Sequence, residues 1–206
     1  MITNNKSNSS KRWLSEHFQD LYVKKAKENK IRSRSWFKLK EMDKDNKLFQ
    51  LGMNIIDLGS APGGWSQYAI NKVGKKGSVI ACDILPMKKI RGVKFFQGDF
   101  RNTHTLNSIL KNISNHTFNI VMSDMAPNIT GCWSIDMPRI IEMCKIALKI
   151  SKYLLSKHGV FLVKSFQGEG LNEFFEEIKM LFSKVKICKP KSSRPRSREI
   201  FILATR

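Results

Sequence analysis

The chain has 206 residues, 41% hydrophobic and 10% aromatic, which is enough apolar material for one globular domain with its own core. Its 37 Lys and Arg residues outnumber 17 Asp and Glu residues, and the net charge of +20 favours a polyanionic partner such as nucleic acid. Because no run approaches the ~18 apolar residues of a membrane span and no signal-peptide core is present, a cytoplasmic protein without a membrane partner is expected. The four cysteines are scattered, with no C-x-x-C pair and no histidine at ligand spacing, which argues against disulfides and a metal site.

The N-terminal part of the chain is first polar and then strongly basic. Residues 1–10 are predicted to form a disordered tail, and residues 11–206 a single domain that begins with a basic helical segment, residues 11–50. Ser33 or Ser35 is expected to cap a helix within that segment. The apolar residues assigned to this helix are Trp36, Phe37, Leu39 and Met42.

Beyond residue 50, short apolar runs alternate with amphipathic stretches, which predicts an α/β fold with a mostly parallel, seven-stranded sheet. The predicted strands are residues 54–58, 78–82, 93–96, 118–122, 160–163, 184–188 and 200–204. Apolar residues recurring every three or four positions predict helices at 65–73, 140–154 (with Gly159 as the stop) and 171–181. The connection between the last two strands is too short for a crossover helix, so an antiparallel C-terminal hairpin is predicted.

The first predicted strand leads into a segment rich in glycine and proline, Asp57-Leu58-Gly59-Ser60-Ala61-Pro62-Gly63-Gly64-Trp65. At the first strand–helix turn of a doubly wound sheet, glycines let the backbone approach a ligand, so this loop is predicted to bind a cofactor. The loop residues expected to do so are Gly59, Pro62, Gly63 and Trp65. Asp83 ends the next strand, where an acidic residue usually binds ribose hydroxyls. The alternative is a turn that merely breaks the chain.

The loop lacks both the dinucleotide fingerprint G-x-G-x-x-G and a P-loop. It resembles instead the first motif of the S-adenosylmethionine methyltransferases, as does the C-terminal hairpin. The resemblance implies a Rossmann-like S-adenosylmethionine-dependent methyltransferase fold, with S-adenosyl-L-methionine as cofactor. It also places Asp99, after the third strand, at the adenine, and adds Asp124 to the cofactor-binding residues.

Four charged residues lie at strand ends or in the basic segment: Lys38, Asp124, Lys164 and Glu199. Taken singly, each is more often a surface charge than a catalyst, although Lys164 ends an apolar strand at the ligand edge of the sheet.

The segments around these charges resemble the FtsJ-type (RrmJ-type) ribose 2′-O-methyltransferases from about Ser10 to the C-terminus. The matching segments are residues 32–39, the cofactor loop, 123–128, 164–170 and 192–199. The Lys-Asp-Lys-Glu tetrad of that family falls on Lys38, Asp124, Lys164 and Glu199. The resemblance implies methylation of the ribose 2′-hydroxyl of a uridine in the A loop of 23S rRNA, in the large ribosomal subunit. The pair Cys132-Trp133 in the loop after Asp124 departs from the family pattern.

By the same resemblance, Lys164 accepts the proton of the ribose hydroxyl. A free lysine has a pKa of about 10.4, so a base would need burial or a neighbouring cation, for which Lys38 is a candidate. Asp124 and Glu199 act in the opposite sense. The alternative is that Lys164 stays charged and only orients the hydroxyl.

Two basic segments flank the predicted site, residues 24–40 and 184–198. They are either solvated faces or a groove that follows RNA phosphates. The residues predicted to bind RNA are Arg32, Arg34, Lys38, Arg194 and Arg196. Trp36, Phe37 and Trp133 are candidates either for stacking on a base or for the core. A monomer is expected. The alternative functions are a tRNA ribose 2′-O-methyltransferase and a non-catalytic RNA-binding ribosome assembly factor.

Overall fold

The computed structural model describes residues 20–206 except 103, 104, 106, 108–110, 112–116 and 195, so the predicted tail lies outside the described residues. The helices within the described part are α1 (Leu21–Glu28), α2 (Ser35–Asn46), α3 (Gly64–Val73), α4 (Trp133–Leu154) and α5 (Leu171–Lys179). The strands there are β1 (Asn54–Leu58), β2 (Ser78–Asp83), β3 (Val93–Gln97), β4 (Phe118–Ser123), β5 (Leu155–Phe166), β6 (Lys184–Cys188) and β7 (Glu199–Thr205).

The seven strands form one sheet in the order β3-β2-β1-β4-β5-β7-β6. The first five strands of the chain pair in parallel, while β7 runs antiparallel to both β5 and β6. The predicted fold class and the antiparallel C-terminal hairpin are therefore confirmed. Strand order reverses between β1 and β4, and in such sheets the ligand crevice lies beyond the carboxyl ends of the strands at that reversal.

Helices cover both faces of the sheet, which explains why β1 is an almost continuous apolar run. Ile56 belongs to a core cluster with α4 and α5, whereas its neighbour Ile55 belongs to a second cluster with α2 and α3. The basic segment contributes to the second cluster, because Leu39 of α2 is fully buried there. In the described part of the chain, no helix combines the length and the apolar character that crossing a bilayer requires.

Two local predictions are wrong. Neither predicted serine caps α2 with its side chain, because the cap position is Arg34 and the Ser33 and Ser35 hydroxyls lie 2.7 Å apart, bonded to each other. Gly159 does not stop a helix either. The helix α4 ends at Leu154, the strand β5 starts at the next residue, and Gly159 lies within β5. A Cβ atom on Gly159 would come 2.5 Å from Leu155 Cγ, so close packing explains this glycine.

Candidate active site

The four charged residues singled out in the sequence meet at one point, although they come from distant parts of the chain. Lys38 lies on α2, Asp124 directly follows β4, Lys164 lies on β5 and Glu199 begins β7. The Lys164 Nζ atom is 3.3 Å from Asp124 Oδ1 and 4.0 Å from Glu199 Oε2. The antiparallel pairing of β5 with β7 brings the last two together, because it places Glu199 opposite Phe166.

Glu199 is the centre of a buried ion pair. The Lys38 Nζ atom donates to both of its carboxylate oxygens, at 2.6 and 2.8 Å, and the Ser193 hydroxyl donates to Oε1 at 2.9 Å. Burial raises the pKa of the Glu199 carboxyl, but the charges of Lys38 and Lys164 and these hydrogen bonds outweigh burial, so the pKa is lowered. Glu199 is therefore a carboxylate at neutral pH.

Lys164 is held in its charged form. Burial lowers the pKa of its ammonium group, but the carboxylates of Asp124 and Glu199 more than reverse that effect, so the pKa is raised above its ordinary value. Lys38, the candidate for lowering this pKa, is instead engaged by Glu199. The arrangement before substrate binds favours an ammonium that orients a hydroxyl over an amine that acts as a base.

Two members of the tetrad, Asp124 and Lys164, line a cavity of about 520 Å³ at the carboxyl ends of β1, β2 and β4. Its lining includes the predicted cofactor residues Gly59, Asp83, Asp99 and Asp124, together with Lys164. The apolar side chains on its wall are Ile84, Leu85, Phe100, Met125, Met143 and Ile146. This mixture of apolar wall and carboxylates fits a ligand with an aromatic base, sugar hydroxyls and a positive charge.

Most of the chain matches a known protein family. The model of the FtsJ-like methyltransferase family matches residues 31–206. The chain belongs to the FtsJ-like methyltransferases. It is 72% identical to "Ribosomal RNA large subunit methyltransferase E" of Buchnera aphidicola subsp. Schizaphis graminum and 70% identical to the protein of that name from subsp. Acyrthosiphon pisum, over the full length of both chains in each case. The structure also superposes on a crystal structure described as a ribosomal RNA methyltransferase from Plasmodium falciparum, with a TM-score of 0.74 and 25% sequence identity. The superposition covers 84% of this chain and 97% of that one.

Two carboxylates of this FtsJ-like methyltransferase shape the cavity wall. Asp83 accepts hydrogen bonds from the Ala61 and Leu85 backbone amides, both at 2.8 Å, and so fixes the cofactor loop against the end of β2. Asp99 accepts a forked pair of bonds from the Arg101 guanidinium, which holds the pKa of the Asp99 carboxyl below its ordinary value. Asp99 is therefore a carboxylate at neutral pH.

Three predicted cofactor residues of the methyltransferase do not line the cavity. Pro62 is exposed, and Gly63 lies buried under the side chains of Met87 and Ile90 with a φ of 104°. The Trp65 side chain is only 2% exposed, and its indole N–H donates to the Ser35 carbonyl at 3.0 Å. These residues instead shape the loop and join α3 to α2.

The two arginines predicted to bind RNA near the N-terminus are occupied by other parts of the enzyme. The Arg32 guanidinium donates to the carbonyls of Pro62, Lys88 and Lys89, and thereby braces the cofactor loop. Arg34 bonds to the Asp20 carboxylate and the Ser192 carbonyl. Arg194 is 30% exposed and lies 3.6 Å from the same Asp20 carboxylate, whereas Arg196 is exposed, so these two are the more accessible arginines of the predicted set.

Asp57 is a buried titratable residue that the sequence did not single out, because there it is only the first residue of the cofactor loop. Its side chain is completely buried, its Oδ2 atom accepts the Ser66 hydroxyl at 2.5 Å, and its Oδ1 atom has no hydrogen-bond partner among the described residues. Burial raises the pKa of Asp57 to about 7. The sequence feature that indicates this buried group is the position of Asp57 within the apolar strand β1, where an acidic side chain is costly to bury.

Asp57→Asn is expected to flatten the dependence of the melting temperature on pH between about pH 4 and 7. In this window the folded carboxyl keeps a proton that the unfolded chain releases, so wild-type stability falls as pH rises, by up to ~4 kcal/mol. Asparagine does not titrate. Thermal unfolding from pH 4 to 8 measures the slope, with Asp45→Asn on exposed α2 surface as the matched control. If the melting temperature depended on pH equally in wild type and Asp57→Asn, the raised pKa of Asp57 would be contradicted.

Among the described residues, no group of three or more His, Cys, Asp or Glu side chains is arranged to hold a metal ion.

Proposed function

We propose that this methyltransferase uses S-adenosyl-L-methionine to methylate the ribose 2′-hydroxyl of a uridine in the A loop of 23S rRNA, on the large ribosomal subunit, and that it works as a cytoplasmic monomer. The observation that carries the proposal is the convergence of four charged residues beside the cavity that the cofactor loop borders. Asp124 and Lys164 line this cavity, and Glu199 contacts both Lys164 and Lys38. The names of the full-length relatives support a ribosomal RNA substrate.

The cavity fits S-adenosylmethionine in three respects. Asp83, at the end of β2, and Asp99, after β3, both line the cavity, and Asp83 would accept the ribose hydroxyls. The exposed side chains of Ile84 (62%) and Leu85 (59%) are on the same wall, where an adenine ring would cover them. Asp124 lines the cavity next to Lys164.

When bound, S-adenosylmethionine supplies an electrophilic methyl group on a cationic sulfur. The Lys164 ammonium donates a hydrogen bond to the ribose oxygen and so aims its free lone pair. Asp124 lines the cavity, and its buried Oδ1 atom, 3.3 Å from that ammonium, accepts no hydrogen bond within the described residues, so this carboxylate has capacity for the hydroxyl proton. That proton becomes strongly acidic as the oxygen–carbon bond forms, and a carboxylate suffices to take it. Lys38 holds Glu199, and Glu199 in turn holds Lys164.

This division of roles predicts the pH–rate profile. Because the pKa of Lys164 is raised above its ordinary value, the ammonium persists through pH 7.5–9.5, and kcat is expected to stay level across this range. Methyl transfer measured at saturating substrates over that range tests the prediction. A tenfold rise in kcat per pH unit would show instead that the neutral amine is the active form.

The experiment that tests the function uses labelled S-adenosylmethionine with unmodified large subunits, free 23S rRNA and tRNA, followed by mapping of the methylated ribose. Label at an A-loop uridine is expected. Label confined to tRNA would overturn the substrate, and RNA binding without any label would favour an assembly factor. A phosphate-contacting basic surface also implies that RNA affinity falls steeply with salt concentration.

A further inference from the structure

An aromatic side chain and an exposed cation form a pair beside the tetrad that the methyl-transfer chemistry does not use. Trp133 begins α4, directly after the loop that follows Asp124, and Arg198 immediately precedes Glu199. The Arg198 guanidinium carbon lies 4.8 Å from the centroid of the Trp133 ring. The two residues therefore join the two loops that border Asp124 and Glu199.

The Phe166 ring connects this pair to the reacting group. Its centroid is 6.0 Å from that of Trp133 and 5.9 Å from the Lys164 Nζ atom. The order Lys164, Phe166, Trp133, Arg198 thus forms a continuous row from the proposed position of the ribose hydroxyl to the protein surface. A nucleotide whose ribose reaches Lys164 has its base, or that of its direct neighbour, close to this row.

The pair combines an exposed cation with a half-buried ring, because Arg198 is exposed and Trp133 packs partly against the core. Arg198 is exposed and forms no ion pair with an acidic residue of the described chain, in contrast to Arg34, which is bonded to Asp20. It belongs to the basic loop that also carries Arg194 and Arg196. A guanidinium plane supported by an aromatic ring is a surface on which nucleobases stack in RNA complexes, because it offers both π contact and positive charge.

The surrounding backbone holds the pair in place before any ligand arrives. The Arg198 carbonyl accepts the Gln167 amide at 2.8 Å, which ties its loop to the end of β5. The loop before Trp133 is tied to α4, because the fully buried Asp136 carboxylate accepts the Thr130 and Gly131 amides at 3.0 and 2.9 Å. A preorganised surface loses less conformational entropy when it binds.

We propose that Trp133 and Arg198 form a stacking platform for a nucleobase next to the methylated ribose, and so help to select how the RNA is presented to Lys164. The proposal rests on the proposed function and deepens it. It assigns a role to Trp133, the first residue of α4, which the methyl-transfer chemistry leaves unused.

The test compares variants of the full-length enzyme with unmodified large subunits as substrate. Trp133→Ala is expected to raise KM for the RNA about tenfold, the loss typical of one base stack, with kcat within about twofold of wild type. Trp133→Phe keeps a π face and should recover most of that loss. Arg198→Lys keeps the charge but not the plane, so it should weaken binding nearly as much as Arg198→Ala. The affinity for S-adenosylmethionine and the melting temperature monitor the fold.

The matched control is Phe175→Ala, which removes the ring from a similar pair on α5, where Lys179 Nζ lies 4.9 Å from the Phe175 centroid. A KM for Trp133→Ala equal to that of this control would overturn the platform while leaving the proposed function intact. If the wild-type enzyme methylates no ribose, the proposed function fails. The platform is then judged by the dissociation constant for 23S rRNA: weaker binding by Trp133→Ala than by the control supports it, and equal binding overturns it.

Discussion

Lys164→Ala is expected to abolish methyl transfer, lowering kcat by about 10³-fold or more, while S-adenosylmethionine still binds. Lys164 is the tetrad member that contacts both Asp124 and Glu199, and its side chain lines the cavity. Without it, the ribose oxygen loses the donor that aims its lone pair. Asp83 and the apolar wall of the cavity are unchanged in this variant, so the proposed cofactor site remains.

Two measurements separate chemistry from binding for this variant. Single-turnover methyl transfer gives the chemical rate, and calorimetry with S-adenosylmethionine gives its dissociation constant. Lys145→Ala is the matched control, because it removes a lysine from α4 whose side chain is 54% exposed. The Lys145 Nζ atom makes a long ion pair, 4.0 Å from Glu177 Oε2. It should behave as wild type. Near-normal turnover by Lys164→Ala would remove Lys164 from the mechanism.

The sheet was predictable because its signals are local. Apolar runs such as Ile55-Ile56 mark strands buried on both faces, and the length of the connection before β7 determines its direction. The errors arose where packing overrode a local signal. The position of Gly159 after an amphipathic stretch predicts a helix stop, yet Gly159 lies within β5, where Leu155 leaves no room for a side chain.

The site was predictable only in part, because its contacts connect residues far apart in the chain. Lys38 and Glu199 are 161 positions apart and meet within hydrogen-bond distance, which no periodicity indicates, so the tetrad came from resemblance to a family. Amino-acid composition also does not distinguish a basic side chain that faces solvent from one that is hydrogen-bonded within the protein. Arg32 was predicted to bind RNA, but it donates to three backbone carbonyls.

Breaking the buried pair of Lys38 and Glu199 is expected to lower the free energy of unfolding substantially at neutral pH. Lys38→Met keeps the length of the side chain and leaves the Glu199 carboxylate, only 7% exposed, without its closest cation. Breaking a buried pair from one side typically costs about 3–5 kcal/mol. Lys164, at 4.0 Å, compensates for part of this loss, so we expect a cost near 3 kcal/mol by urea unfolding at pH 7.

A double variant separates stability from catalysis. In Lys38→Met/Glu199→Leu the uncompensated charge is gone, so most of the lost free energy of unfolding should return, whereas methyl transfer should not, since Lys164 has lost a residue that positions it.

The pH dependence of the stability difference between wild type and Lys38→Met gives an independent check. The pKa of Glu199 is lowered in the folded protein, so its stabilising contribution is present above the ordinary carboxyl pKa and is lost as pH falls through the lowered value. The gap between wild type and Lys38→Met should therefore narrow below about pH 4. A gap that stays constant down to pH 3 would mean that Lys38 stabilises the fold through the contact of its ammonium with the Phe201 ring and not through the charge of Glu199.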